Sequence, residues 1–139
     1  MWRMLVAALF LAGCAQLPPS PEDIQAKRFE TVPDKSIIYV VRTPLDSDEV
    51  SGLTLDGQMT ITTYRGSYYR WEVVPGTHRV AGFGSGTEAV TLTTTPGRIY
   101  FLEHTVLGDR DDGGVQITAL REVGGQTGRT LVMRSQLQM

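Results

Sequence analysis

Cysteine occurs once in the 139 residues, so no intrachain disulfide staples this fold. There is no basic excess either. Lys and Arg number 13 against 15 Asp and Glu, a net charge of -2, which leaves no electrostatic footprint for nucleic acid. Long hydrophobic runs are also missing. The one apolar run, Met4 to Gly13, is ten residues long and lies at the extreme N-terminus, whereas a membrane-spanning helix needs about 20. What remains is 41% hydrophobic, 20% charged and 8% aromatic, the ordinary composition of one globular domain. Wholesale disorder and collagen-like repeats are excluded on the same ground.

The chain opens Met1-Trp2-Arg3 and continues into the apolar run, which has the anatomy of a signal peptide. Its ending, Leu11-Ala12-Gly13-Cys14, resembles the lipobox of bacterial lipoproteins. The resemblance implies that a peptidase recognises Leu11, Ala12 and Gly13 and cuts before Cys14. It also implies a diacylglycerol on the Cys14 thiol and an N-acyl chain on the new N-terminus. One acyl chain anchors only marginally and two suffice, so three would hold firmly. The competing reading is a buried helix with an incidental cysteine. Against it, the one cysteine stands where the motif requires it. Loss of residues 1–13 takes Arg3 away and leaves 126 residues with 12 basic and 15 acidic side chains, a net of -3. The residue after Cys14 is Ala15 rather than Asp. By resemblance to lipoprotein sorting, this implies the periplasmic face of the outer membrane. The proline-rich stretch from Ala15 to Pro21 reads as an extended tether.

Ser20-Pro21-Glu22-Asp23 predicts a helix start, with Ser20 as cap, Pro21 in the first turn and two carboxylates at the positive end. A short helix over about 21–29 follows, with Ile24 and Phe29 as its anchors. Residues 36–42 are apolar on both faces, which places that strand centrally, with a helix over one side. Asp56-Gly57 between residues 50–55 and 58–64 is a two-residue hairpin signal. In 67–73 the alternation puts Tyr69, Trp71 and Val73 inward and Tyr68, Arg70 and Glu72 outward. Pro75-Gly76 and Pro96-Gly97 fit type II turns. Strands over 77–83, 88–94, 98–106 and 115–121 complete the pattern, with Val90 and Leu92 inward. The expectation is an all-β fold: an antiparallel β-sandwich of about eight short strands over 34–123. Signal peptide (1–13), lipidated Cys14 with tether and helix (14–33) and a C-terminal tail (124–139) flank it. Within the tail, three glycines from 124 to 128 delay any helix, leaving a short one over about 127–135 as an option.

Several pieces together resemble a family of small Gram-negative lipoproteins known as domain of unknown function twenty-eight forty-six. They are Ile37-Ile38-Tyr39-Val40-Val41-Arg42, Leu55-Asp56-Gly57, Gly66-Ser67-Tyr68-Tyr69-Arg70-Trp71-Glu72-Val73, Pro75-Gly76-Thr77-His78 and Pro96-Gly97-Arg98-Ile99-Tyr100-Phe101. The Asp-Gly turn followed by Pro-Gly-x-His is also similar to PEGA-type β modules. The resemblance implies an antiparallel sandwich on a lipid anchor and brings no catalytic residues.

Few residues offer chemistry. His78 and His104 lie in expected strands, and a hydrogen-bonded structural role is the simpler account of both. With Glu72 and Glu103 as the nearby carboxylates and no cysteine, no zinc ligand set assembles. Gly82-Phe83-Gly84-Ser85-Gly86 lacks the spacing of a nucleophile elbow and no Lys follows it for a phosphate loop, so it reads as a bend. Asp109, Asp111 and Asp112 form an acidic loop. The glutamate of a helix-loop-helix calcium loop is replaced by Leu120 there, so the loop reads as solvated. The outward trio Tyr68, Arg70 and Glu72 is the candidate interaction face, since Tyr and Arg are the types that anchor interfaces. Three functions stay in play. The first is a non-enzymatic envelope lipoprotein that meets the membrane through its lipid anchor and has an envelope protein as partner. The second is a module binding glycan, peptidoglycan or lipid. The third and weakest is an envelope hydrolase. No catalytic residue, metal or cofactor is assigned.

Overall fold

The strand that is apolar on both faces takes the middle of the molecule. In a computed structural model describing residues 18–44, 47–82, 89–108 and 117–139, β1 (Ser36–Val41) is buried at every position. Eight further strands surround it: β2 (Ser51–Leu55), β3 (Met59–Thr63), β4 (Ser67–Val73), β5 (Gly76–Gly82), β6 (Ala89–Thr94), β7 (Ile99–Leu107), β8 (Ile117–Val123) and β9 (Gln136–Leu137). They form two sheets, one ordered β8-β7-β1-β4-β9 and one ordered β3-β2-β5-β6. The expected all-β sandwich is what forms. Two helices, α1 (Pro21–Ala26) and α2 (Gly125–Met133), add a third layer over the outer face of the five-stranded sheet.

Alternation along β1 divides its side chains between two cores. Ile38 and Val40 point between the sheets, with Trp71, Val73, Leu102 and Leu120 from their own sheet and Leu53, Leu55, Ile61, Val80 and Leu92 from the other. Ile37, Tyr39 and Val41 point to the opposite face, where Ala26 of α1 and Val132 of α2 close over Tyr68 and Phe101. Tyr39 stacks on Phe101 at 5.3 Å, and Phe29 meets both rings at a tilt. The inward positions expected of Trp71, Val73 and Leu92 are buried as read from the alternation. Asp56 and Gly57 both have positive φ, 53° and 72°, as the two-residue hairpin requires.

Some local expectations are corrected. Helix α1 stops at Ala26 because Phe29, with φ of 53°, turns the chain out of the helix. Within it Asp23 and Ala26 are buried and Ile24 is 49% exposed, while Phe29, just beyond its end, packs against the helix-side core as expected. Helix α2 begins at Gly125, two residues before the expected start, and of the three glycines there only Gly128 is required sterically: a Cβ at 128 would overlap the Phe101 ring. From β8, Leu120 enters the core, while Ile117 is exposed. Pairings β1–β7 and β4–β9 are parallel, the first because the chain visits the other sheet between these strands. Strand β9, absent from the sequence reading, ties the C-terminal segment to β4.

Candidate functional site

The outward trio of β4 shares one face, as the alternation demands, but α1 lies across part of it. Tyr68 is 1% exposed, so it is not part of an open binding surface. Its position on the solvent side of the sandwich core was legible, as was a helix over one side of the central strand; that α1 extends over Tyr68 was not. The Tyr68 hydroxyl donates to Asp23 Oδ1 at 2.7 Å. The same oxygen accepts the Leu137 N–H of β9 at 3.0 Å, and Lys27 Nζ pairs with Asp23 Oδ2 at 2.9 Å. Lys27 also donates to the Ser135 carbonyl at 2.7 Å. One carboxylate thus joins α1, β4 and the C-terminus. Burial opposes its charge, but the hydrogen bonds from Lys27, Tyr68 and Leu137 and the Lys27 charge outweigh burial and hold Asp23 below its ordinary pKa. Burial, with Asp23 beside it, pushes the Tyr68 phenol up.

Arg70 and Glu72 remain accessible. They pair with each other at 3.5 Å, and Arg70 lines a cavity of about 230 Å³ with Gln25, Glu30, Thr31 and Tyr39. A second, larger groove of about 490 Å³ lies between the start of α1 and the C-terminus. Pro18, Pro19, Met133, Leu137 and Met139 line it, with Lys27 and Arg134 at its rim of charge.

Both histidines are engaged. His78 Nδ1 meets Asp56 Oδ2 at 2.7 Å, and Nε2 meets the Val74 carbonyl at 2.6 Å. Both partners are acceptors, so the ring satisfies both only when each nitrogen carries a proton. Burial works against that charge, yet the Asp56 and Val74 hydrogen bonds and the Asp56 charge raise its pKa. The ring fastens the Val74-Pro75-Gly76 turn to the Asp56-Gly57 turn, the structural role expected of it. His104, 2% exposed, has Nδ1 3.0 Å from Thr63 Oγ1. That hydroxyl also reaches the Ser51 carbonyl at 2.9 Å, an arrangement completed by a His104 protonated at Nδ1.

Arg42, missed in the sequence, is 1% exposed and donates to three carbonyls, those of Glu49, Thr63 and Ser47, at 2.7 to 2.8 Å. The one charge closing an all-apolar run was the available signal. Asp23 had only its place in the first helical turn to mark it.

Leu11, Ala12, Gly13 and Cys14 lie outside the described residues, as do Ser85, Asp109, Asp111 and Asp112. Among the described residues, no three His, Cys, Asp or Glu side chains converge as a metal site, and no helix is long and apolar enough to cross a membrane. No protein-family model and no curated protein matches the chain.

Proposed function

We propose that the protein is a lipoprotein held by Cys14 at the periplasmic face of the outer membrane, where its β-sandwich acts as a non-enzymatic interaction or structural module. One observation carries the reading beyond the lipobox. The helix that follows the tether is joined through Asp23 to a central-sheet strand and to the C-terminus. An anchor at residue 14 therefore connects to the whole body through a six-residue segment, 15–20, before the fold begins at Pro21. Such a linkage suits a protein whose work is to hold a position. Both histidines on which a hydrolase could draw are engaged within the chain, His78 between two turns and His104 against Thr63, which favours the structural reading.

Metabolic labelling with a fatty acid, followed by membrane fractionation, tests the anchor. Wild type should take label and partition with outer membranes, and Cys14→Ser should do neither. A processed, unlabelled wild-type protein in the aqueous fraction would refute it. Crosslinking in intact cells tests the module role, and a reproducible envelope partner is the expected result.

A binding role for glycan retains one specific support, the Arg70-lined cavity beside Glu72. Arg70→Ala should weaken retention on purified peptidoglycan if that reading holds; equal retention would remove it.

A further inference from the structure

We infer that the corner formed by the start of α1, the end of α2 and the C-terminus rests on an anionic phospholipid surface. The inference depends on acylation of Cys14 and goes further by fixing which face of the body meets the bilayer.

The length of chain between anchor and fold sets the first constraint. Pro18 and Pro19 line the groove shared with Met133, Leu137 and Met139. Cys14 is four residues before Pro18. Four residues span at most about 14 Å when fully extended. The nine residues of β7 alone run about 30 Å. The tether is thus too short for the body to turn its far end to the bilayer while Cys14 stays in it. The corner with Pro18 has to lie beside the headgroups.

The chemistry of that corner is the second support. Met133 is 56% exposed and Met139 is 89% exposed. These unbranched side chains are apolar enough to enter the boundary between headgroups and acyl chains. Arg134 lines the same groove, and α2 contains no acidic residue. Asp23 also lines the groove but is held by Lys27, Tyr68 and Leu137, which leaves Glu22 in the first turn of α1 as the exposed carboxylate to set against Arg134. Exposed methionines and an arginine lining one groove are a combination that suits an anionic interface. Sheet order puts Ile117, on β8, at the opposite edge from β9.

The test uses the full acylated protein in vesicles of phosphatidylethanolamine and phosphatidylglycerol. Met133→Cys, Met139→Cys, Ile117→Cys and Gln58→Cys each carry a nitroxide, and collision with oxygen is compared with collision with a water-soluble nickel chelate. Acylated Cys14 has no free thiol, so the introduced cysteine is the only labelled position. Labels at 133 and 139 should be protected from nickel several-fold better than those at 117 and 58. Arg134→Glu should reduce the protection in these vesicles. Equal nickel access at all four positions, with mass spectrometry confirming acylated Cys14, would overturn the orientation and leave the anchor intact. A mass without the acyl chains, and label on Cys14 itself, would overturn both.

Discussion

Asp23 should be the most costly single polar residue to remove from the helical layer. Tyr68→Phe keeps the ring in its buried place and deletes one hydroxyl bond to a carboxylate. A hydrogen bond to a charged group contributes about 1.5–3 kcal/mol, and the buried position argues for the upper half of that range. Asp23→Ala removes the common acceptor. It leaves the Tyr68 hydroxyl only the longer contact to the residue 23 carbonyl at 3.4 Å, strands the Leu137 N–H and leaves Lys27 the Ser135 carbonyl. Breaking a buried charged pair by deleting one side costs about 3–5 kcal/mol. For a domain of this size, each kcal/mol corresponds to roughly 3–5 °C in Tm.

Because Tyr68→Phe loses only a long contact to the residue 23 carbonyl once the carboxylate is gone, the double variant should fall short of the sum by about 1.5–3 kcal/mol. Urea unfolding of the four proteins measures this directly. Amide exchange at Leu137 should accelerate in Asp23→Ala before global unfolding does. The linkage sign follows from the lowered Asp23 pKa. Ionised Asp23 contributes fully above the ordinary carboxylate pKa, and the contribution is lost as pH falls through its lowered folded value. Asp23→Asn should therefore show a flatter acid limb. Additivity within about 0.5 kcal/mol, or a cost for Asp23→Ala under about 1 kcal/mol, would refute the joining role.

Three other outcomes are expected. His78 is raised and Asp56 lowered, so their contribution is full between the ordinary Asp and His values and fades as pH rises through the raised His78 value; His78→Gln should lose about 1 kcal/mol near pH 5.5 and less at pH 8.5 by thermal melting, the size being limited by the 45% exposure of Asp56. Gly128→Ala should destabilise by about 1–3 kcal/mol in chemical denaturation despite the better helix former, because the added methyl meets Phe101. Arg42→Met should release the 47–50 segment, read as faster amide exchange there with a stability loss of about 2–4 kcal/mol, since three carbonyls lose their donor.

The sandwich was legible because its cause is local. Residues 36–42 can only be a strand covered twice, Asp56-Gly57 can only reverse the chain, and the alternation in 67–73 assigns each side chain a face. Alternation does not say what covers a face. Tyr68 was read as outward, correctly in direction, and it is buried because a six-residue helix 45 positions away lies upon it. Leu137 and Asp23 are 114 positions apart, and no spacing rule links them. The same limit applies to Arg42, whose partners are backbone carbonyls that carry no residue identity.

Asp23, Tyr68 and Leu137 meet at the outer face of the five-stranded sheet, where polar bonds hold a layer too small to stand on apolar area alone, whereas Arg42 ties the end of β1 to β3 and the 47–49 loop. Helix α1 buries only Asp23 and Ala26, so its docking depends on a carboxylate in a way the sandwich core does not. That layer is also the one through which Cys14 would connect to everything else. Loosening Asp23 should then free the tether from the body before the sandwich itself opens, separating position from fold in a way that core substitutions such as Leu102→Ala do not.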